Sequence, residues 1–178
     1  MANEYGFSEI KPFDFNENSF KLMARDWFIM TAKKDDKCNG MTVGWGGFGV
    51  MWGKNVAFVA VRPERYTYEF LEAADTFSLT AFDQSYRKML GYFGTVSGRD
   101  EDKIAKSNLT VIYDGETPYF KEARLSINCK RILTTAFQPE DLVDQSYAKF
   151  YGGTNDASGL GGGWHLLYIA EIQKILSK

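Results

Sequence analysis

The stretch NGMTVGWGGFGVMWG, residues 39–53, decides the fold class. Glycine stands at 44, 46, 47 and 49 between large side chains. That density excludes a helix, since each interior glycine costs about 1 kcal/mol relative to alanine. The segment therefore reads as β-like. Glycine inside a strand gives packing no side chain, so repeated glycines mark a bend, a bulge or a close approach by a backbone or ligand. On the residues alone a barrel corner and a flat ligand wall both stay open.

Outward from this stretch the pattern is mostly strand. Residues 27–33 (WFIMTAK) read as a strand, with Lys33-Lys34-Asp35-Asp36-Lys37 as a solvated turn after it. Residues 55–61 (NVAFVAV) form a β-branched strand that ends at Arg62, because Pro63 pushes its predecessor out of the helical region. Tyr66, Phe70 and Ala74 then recur at helical spacing, giving a short amphipathic helix capped by Thr67. Residues 76–82 alternate Phe77, Leu79 and Ala81 inward with Ser78 and Thr80 outward. Residues 86–95 are helical, Ser97-Gly98-Arg99-Asp100 breaks that helix, and a second short one follows with Glu101 and Asp102 in its first turn. The alternation over residues 125–133 aims Cys129 into the core. Residues 139–150 suit another short helix, 152–163 a glycine-rich loop, and 164–175 the closing strand. The expected fold is mainly β with short helices, and no repeat or linker divides residues 1–178, so one domain is expected.

Composition narrows the function. Of 178 residues 44% are hydrophobic and 25% charged, which suits a folded chain. With 21 basic and 23 acidic residues interspersed, there is no electrostatic footprint for nucleic acid or a lipid surface. No apolar run approaches the roughly 20 residues that span a bilayer, and the first residues lack a secretory pattern, so a cytoplasmic location is expected. Cys38 and Cys129 form no CxxC, and His165 is the single histidine, so no metal site is expected. The 14 Phe, 10 Tyr and 4 Trp suit either a barrel core or a planar ligand.

One cluster carries chemistry. Arg62-Pro63-Glu64-Arg65-Tyr66-Thr67 joins a strand to a helix start, where guanidinium forks, hydroxyls and unpaired backbone N–H groups converge on a phosphate monoester. The alternative is a solvated, salt-bridged face.

NGMTVGWGGFGVMWG, VRPERYTYEFLEAADTFSL and SGRDEDK, in this order, resemble the flavin reductase-like, FMN-binding split-barrel family, in its flavoredoxin-type branch. The resemblance implies a homodimer of split β-barrels with Greek-key topology, each subunit holding one FMN near the interface. Asn39, Met41, Thr42, Val43, Gly44 and Trp45 would line the ring and ribityl chain. Arg62, Arg65, Tyr66 and Thr67 would hold the phosphate, with Ser97, Gly98 and Lys103 closing the same site. The chain has no Rossmann unit, so NAD(P)H would dock transiently on the flavin. The resemblance places His165 near the flavin and nicotinamide; a structural histidine at a dimer interface is the alternative. Relatives often carry an acidic residue shortly before this histidine, where Gly161-Gly162-Gly163-Trp164 stands here. The implied activity is an FMN-dependent oxidoreductase passing electrons from NAD(P)H to a flavin or a redox partner protein. The alternatives are an FMN-retaining carrier reduced by another protein and a flavin-binding module without reductase activity.

Overall fold

A computed structural model describes residues 2–151 and 163–178; the expected glycine-rich loop lies, except for Gly163, outside the described residues. Seven antiparallel strands lie in the order β3 (Lys37–Val43), β2 (Phe28–Lys34), β6 (Thr76–Ala81), β9 (Leu125–Ala136), β10 (Leu166–Ser177), β5 (Lys54–Val61) and β4 (Gly46–Met51). A short β1 (Ser8–Ile10) pairs with the end of β10. Strand β6 follows β5 in the chain but pairs with β2, across the sheet, which is a Greek-key connection. Edge strands β3 and β4 are joined by Gly44 and Trp45, and the Trp45 carbonyl accepts from the Ala60 N–H at 3.0 Å. The sheet is thereby curled into a split barrel around Phe28, Met30, Val59, Phe77, Leu79, Ile127 and Tyr168.

Gly46 makes this closure possible. A β-carbon there would stand 2.0 Å from the Phe58 carbonyl oxygen, so no other residue fits against β5. Cys129 is fully buried, and burial pushes its thiol up, out of reactive range.

Several elements differ from the sequence expectation. Ser78 and Thr80 are buried rather than outward, because a hairpin of β7 (Val111–Asp114) and β8 (Thr117–Phe120) covers the outer face of β6. The Ser78 hydroxyl donates to the Pro118 carbonyl at 2.5 Å and Thr80 to the Ile29 carbonyl at 3.1 Å. The charged turn contracts to Asp35 and Asp36, since Lys33 and Lys34 stay in β2 and Lys37 opens β3. Helix α2 (Thr67–Ala73) is preceded by Tyr66 as its capping residue, because the Thr67 hydroxyl is engaged by Asn39. Glu101 and Asp102 lie ahead of α4 (Lys103–Lys106), where Asp102 is the cap and accepts from the Ala105 N–H at 3.0 Å. In place of one helix at 139–150 there are two 3-10 turns, Pro139–Asp141 and Gln145–Phe150.

Trp27, expected as the first strand residue, stands outside β2. Helix α1 (Ser19–Lys21) runs into a wide helical turn, Leu22–Asp26, closed by the Trp27 N–H donating to the Leu22 carbonyl at 2.8 Å. Trp27 then adopts φ 64°, ψ 159°, a region that is essentially reserved for glycine and costs of order 1–3 kcal/mol for other residues. We expect Trp27→Gly to be more stable than Trp27→Ala by about 1–3 kcal/mol, measured by urea unfolding, because both lack the indole and only glycine relaxes there. Equal stabilities would remove the strain.

Candidate functional site

The β3–β4 crossover, the end of β5 and helix α3 (Arg87–Thr95) enclose a cleft of about 680 Å³. Its walls are mainly apolar or backbone: Met41, Thr42, Val43, Gly44 and Trp45 on one side, Ala60 and Val61 below, and Leu90, Gly91 and Gly94 from α3. The Thr42 hydroxyl donates to the Leu90 carbonyl and ties β3 to α3. A β-carbon on Gly94 would already touch Thr42 at 3.5 Å, so small residues on α3 let the helix sit close to β3. An apolar slot of this size with a few polar groups is the usual form of a small-molecule site.

Adjoining the cleft is a second pocket of about 210 Å³ whose lining includes Asn39, Arg62, Glu64, Arg65, Tyr66, Thr67, Ser97, Gly98 and Lys103. Arg62, Arg65, Gly94 and Thr95 border both spaces. Three cations converge here, Arg62 and Arg65 from the connection between β5 and α2 and Lys103 from α4. Arg62, 7% exposed, donates to the Phe150 carbonyl at 2.9 Å. Arg65 and Lys103 share the Phe93 carbonyl, at 3.2 and 3.1 Å. Lys103 is 3% exposed; burial and then the Arg65 charge lower its pKa to about 8. Burial, followed by the Arg62 charge, also lowers that of Arg65. Like charges held together on carbonyls, with no carboxylate among the described residues paired to Arg65 or Lys103, form an anion receptor. Its neighbour Arg99 is used otherwise, bound to Glu69 at 2.6 Å and lying over the Tyr66 ring.

Neutral groups complete the pocket. The Asn39 side-chain amide donates to the Thr67 oxygen at 2.8 Å, which leaves the Thr67 hydrogen to be donated elsewhere. Gly98 is held by space: a β-carbon would come within 2.4 Å of the Asn39 oxygen and 2.9 Å of the Tyr66 ring.

Next to Arg62 aromatic rings gather in the cleft wall. Trp45, 44% exposed, lies over the buried His165 with ring centroids 4.8 Å apart and meets Phe150 edge-on at 5.6 Å. The His165 Nδ1 is 3.3 Å from the Tyr151 hydroxyl, and Tyr151 stacks on Trp164 at 4.1 Å.

All the residues singled out in the sequence line these two spaces: Met41, Thr42, Val43, Gly44, Trp45 and His165 the cleft, Asn39, Tyr66, Thr67, Ser97, Gly98 and Lys103 the basic pocket, and Arg62 and Arg65 both. Sequence reading missed Trp27, Phe150 and the face of α3 formed by Leu90, Gly91, Gly94 and Thr95. The recurrence of small residues along one side of α3 was the available signal. Among the described residues no acidic, histidine and cysteine cluster could hold a metal ion.

The sequence pattern of the family described as "Flavin reductase like domain" matches residues 20–177. A curated relative, the high molecular weight rubredoxin of Moorella thermoacetica, is 29% identical over 100 residues, 56% of this chain. The match spans only 43% of that relative's length. Among solved structures, the flavoredoxin from Methanosarcina acetivorans superposes with a TM-score of 0.66 at 23% identity, over 96% of this chain and 76% of its own. An FMN-binding domain of a flavin reductase-like enzyme from Shewanella baltica gives 0.66 at 14% identity, over the same shares, 96% and 76%. At these identities the superpositions establish a common fold.

The buried lysine gives the pocket a pH signature. A depressed lysine pKa means that the unfolded chain binds more protons between about 8 and the usual value near 10.5. The cost of burying the charge is thus fully present below pH 8 and is relieved as pH rises through that window. A bound phosphate monoester favours the charged lysine and raises its pKa, so affinity falls once pH exceeds about 8. Isothermal titration between pH 7 and 10 should show this decline, and Lys103→Met should weaken binding at pH 7 while flattening the slope. A wild-type affinity that does not change across pH 8 to 10 would contradict the assignment.

Proposed function

The chain belongs to the flavin reductase-like domain family, and from that premise we propose that it binds FMN and acts as an oxidoreductase that takes electrons from NAD(P)H and passes them to a flavin or protein acceptor. The observation that carries this reading is that the apolar slot and the small basic pocket adjoin and share Arg62 and Arg65 as walls. One molecule that is flat at one end and dianionic at the other satisfies both. The residues fit FMN: backbone and small side chains of β3 and α3 would flank the ring, and Arg62, Arg65 and Lys103 would neutralise the phosphate. The Thr67 hydroxyl, accepting from Asn39, would donate to a phosphate oxygen. Bound FMN would supply the electron-transfer chemistry, and the chain's task is to hold, orient and shield it.

His165 is proposed to orient a nicotinamide. Tyr151 and Trp45 fix its ring at the edge of the cleft, and Trp45 offers an exposed aromatic face beside it. The same reading includes a homodimer, supported by the exposed apolar side chains Ile132 and Leu133 in the outer half of β9 and Val143 beyond it. The names of two similar proteins, a flavoredoxin and a rubredoxin, favour a second reading in which FMN is retained and reduced by another protein.

Anaerobic addition of NADH or NADPH to the FMN-loaded protein separates these readings. Bleaching of the flavin absorbance with turnover supports the reductase, and absence of bleaching with either nucleotide supports the carrier.

Arg65→Ala should weaken FMN by roughly tenfold to a hundredfold while leaving riboflavin nearly unchanged, since a charge-assisted hydrogen bond contributes about 1.5–3 kcal/mol. Titration of flavin fluorescence measures both, and equal losses would move the phosphate away from Arg65. His165→Asn should keep FMN affinity yet slow reduction by nicotinamide by about tenfold or more. Stopped-flow reduction from pH 5 to 9 tests this, and an unchanged rate per bound flavin would remove His165 from the reaction.

A further inference from the structure

Trp27 lines the cleft together with Ala24 and Gly44 and takes no part in the basic pocket. Three features of the chain converge on its position. The wide turn Leu22–Asp26 lets its N–H reach back five residues to Leu22, and such turns are frequent at functional sites. Its backbone sits at φ 64°, ψ 159°, a strained region retained in proteins mainly where function requires it. Gly44 leaves room for the indole: a β-carbon there would stand 3.0 Å from Trp27 Cδ1 and 3.3 Å from Nε1. A fourth feature comes from α3. The Arg87 guanidinium lies 3.3 Å from the centre of the Trp27 ring and is anchored by donating to the Arg25 carbonyl. Arg87 does not itself line the cleft.

Trp27 packs in part against the core cluster around Leu90 and Phe93, yet packing alone does not call for the strained backbone, the wide turn or the clamped cation. Their common product is a rigid aromatic plate at the cleft wall with a positive charge stacked on it. We propose that Trp27 is a positioning residue for the ring end of the bound flavin and that Arg87, through it, favours the reduced over the oxidised flavin. This rests on the FMN reading above. Uptake of two electrons and one proton leaves the reduced ring with one additional negative charge at neutral pH, which a nearby guanidinium stabilises.

The test uses riboflavin, FMN and the full chain. Trp27→Ala should weaken riboflavin and FMN by the same factor, roughly tenfold, as expected for loss of an aromatic contact to a heterocycle. Trp27→Phe should recover most of that loss and guards against a folding defect. Arg87→Gln should shift the midpoint potential of bound FMN to more negative values, lowering the ratio of reduced to oxidised affinity by about tenfold, and Arg87→Lys should restore part of it. Wild-type riboflavin affinity in Trp27→Ala, a loss confined to FMN, or an unmoved potential in Arg87→Gln would each overturn the proposal. If the wild-type protein binds neither riboflavin nor FMN, the FMN reading itself fails. Binding by the wild type with unaffected variants sinks only the role of Trp27 and Arg87.

Discussion

Gly46 admits the Phe58 carbonyl to a place where any β-carbon would overlap it, and the rest of the site depends on that contact. Because β4 can press flat on β5, the chain crosses from one edge of the sheet to the other within Gly44 and Trp45. A longer crossover would hold these edges apart. With the crossover this short, its backbone forms a wall of the cleft and Trp45 is left beside His165. The same glycines that weaken this segment as a strand make the barrel close and leave a flat surface next to the closure.

The basic pocket shows the opposite economy. Burying Arg62 and Lys103 beside Arg65 costs desolvation and mutual repulsion, expressed in the lowered lysine and arginine pKa values. Among the described residues no carboxylate pairs with Arg65 or Lys103, and the Phe93 carbonyl that holds both supplies only partial charge. Such an arrangement is unfavourable alone and is relieved by an anion. Elsewhere the chain spends buried charge in pairs, as where Arg124 grips Glu17 at 2.6 and 3.0 Å and reaches the buried Asp26 at 3.3 Å. The contrast between these two clusters separates binding from scaffolding.

Where sequence reading failed, the cause was a neighbour distant in the chain. Ser78 and Thr80 read as an outward face because alternation reports only one strand's own pattern, and the β7–β8 hairpin that covers them comes about 40 residues later. Thr67 read as a helix cap because its type favours that role, but Asn39, 28 residues earlier, claims its oxygen. Trp27 read as the start of β2 because aromatics favour strands, whereas its backbone is set by the turn before it and its ring by Arg87, 60 residues later in the chain at the start of α3.

The sequence by itself determined the mainly β class, the end of β5 before Pro63, the buried Cys129 and the clusters that line the two spaces, because glycine density, proline position and residue alternation act over a few neighbours. It also carried the resemblance to the family that the matched pattern over residues 20–177 establishes. The resemblance already grouped Arg62, Arg65 and Lys103; only the tertiary structure decided that their pocket adjoins an apolar cleft with shared walls, and that Arg87 stacks on Trp27 in the wall of that cleft. These depend on the strand order, which brings β3, β5, α3 and α4 together across long stretches of chain. Local preference fixes what each segment is, and the closure of the barrel fixes which segments face one another.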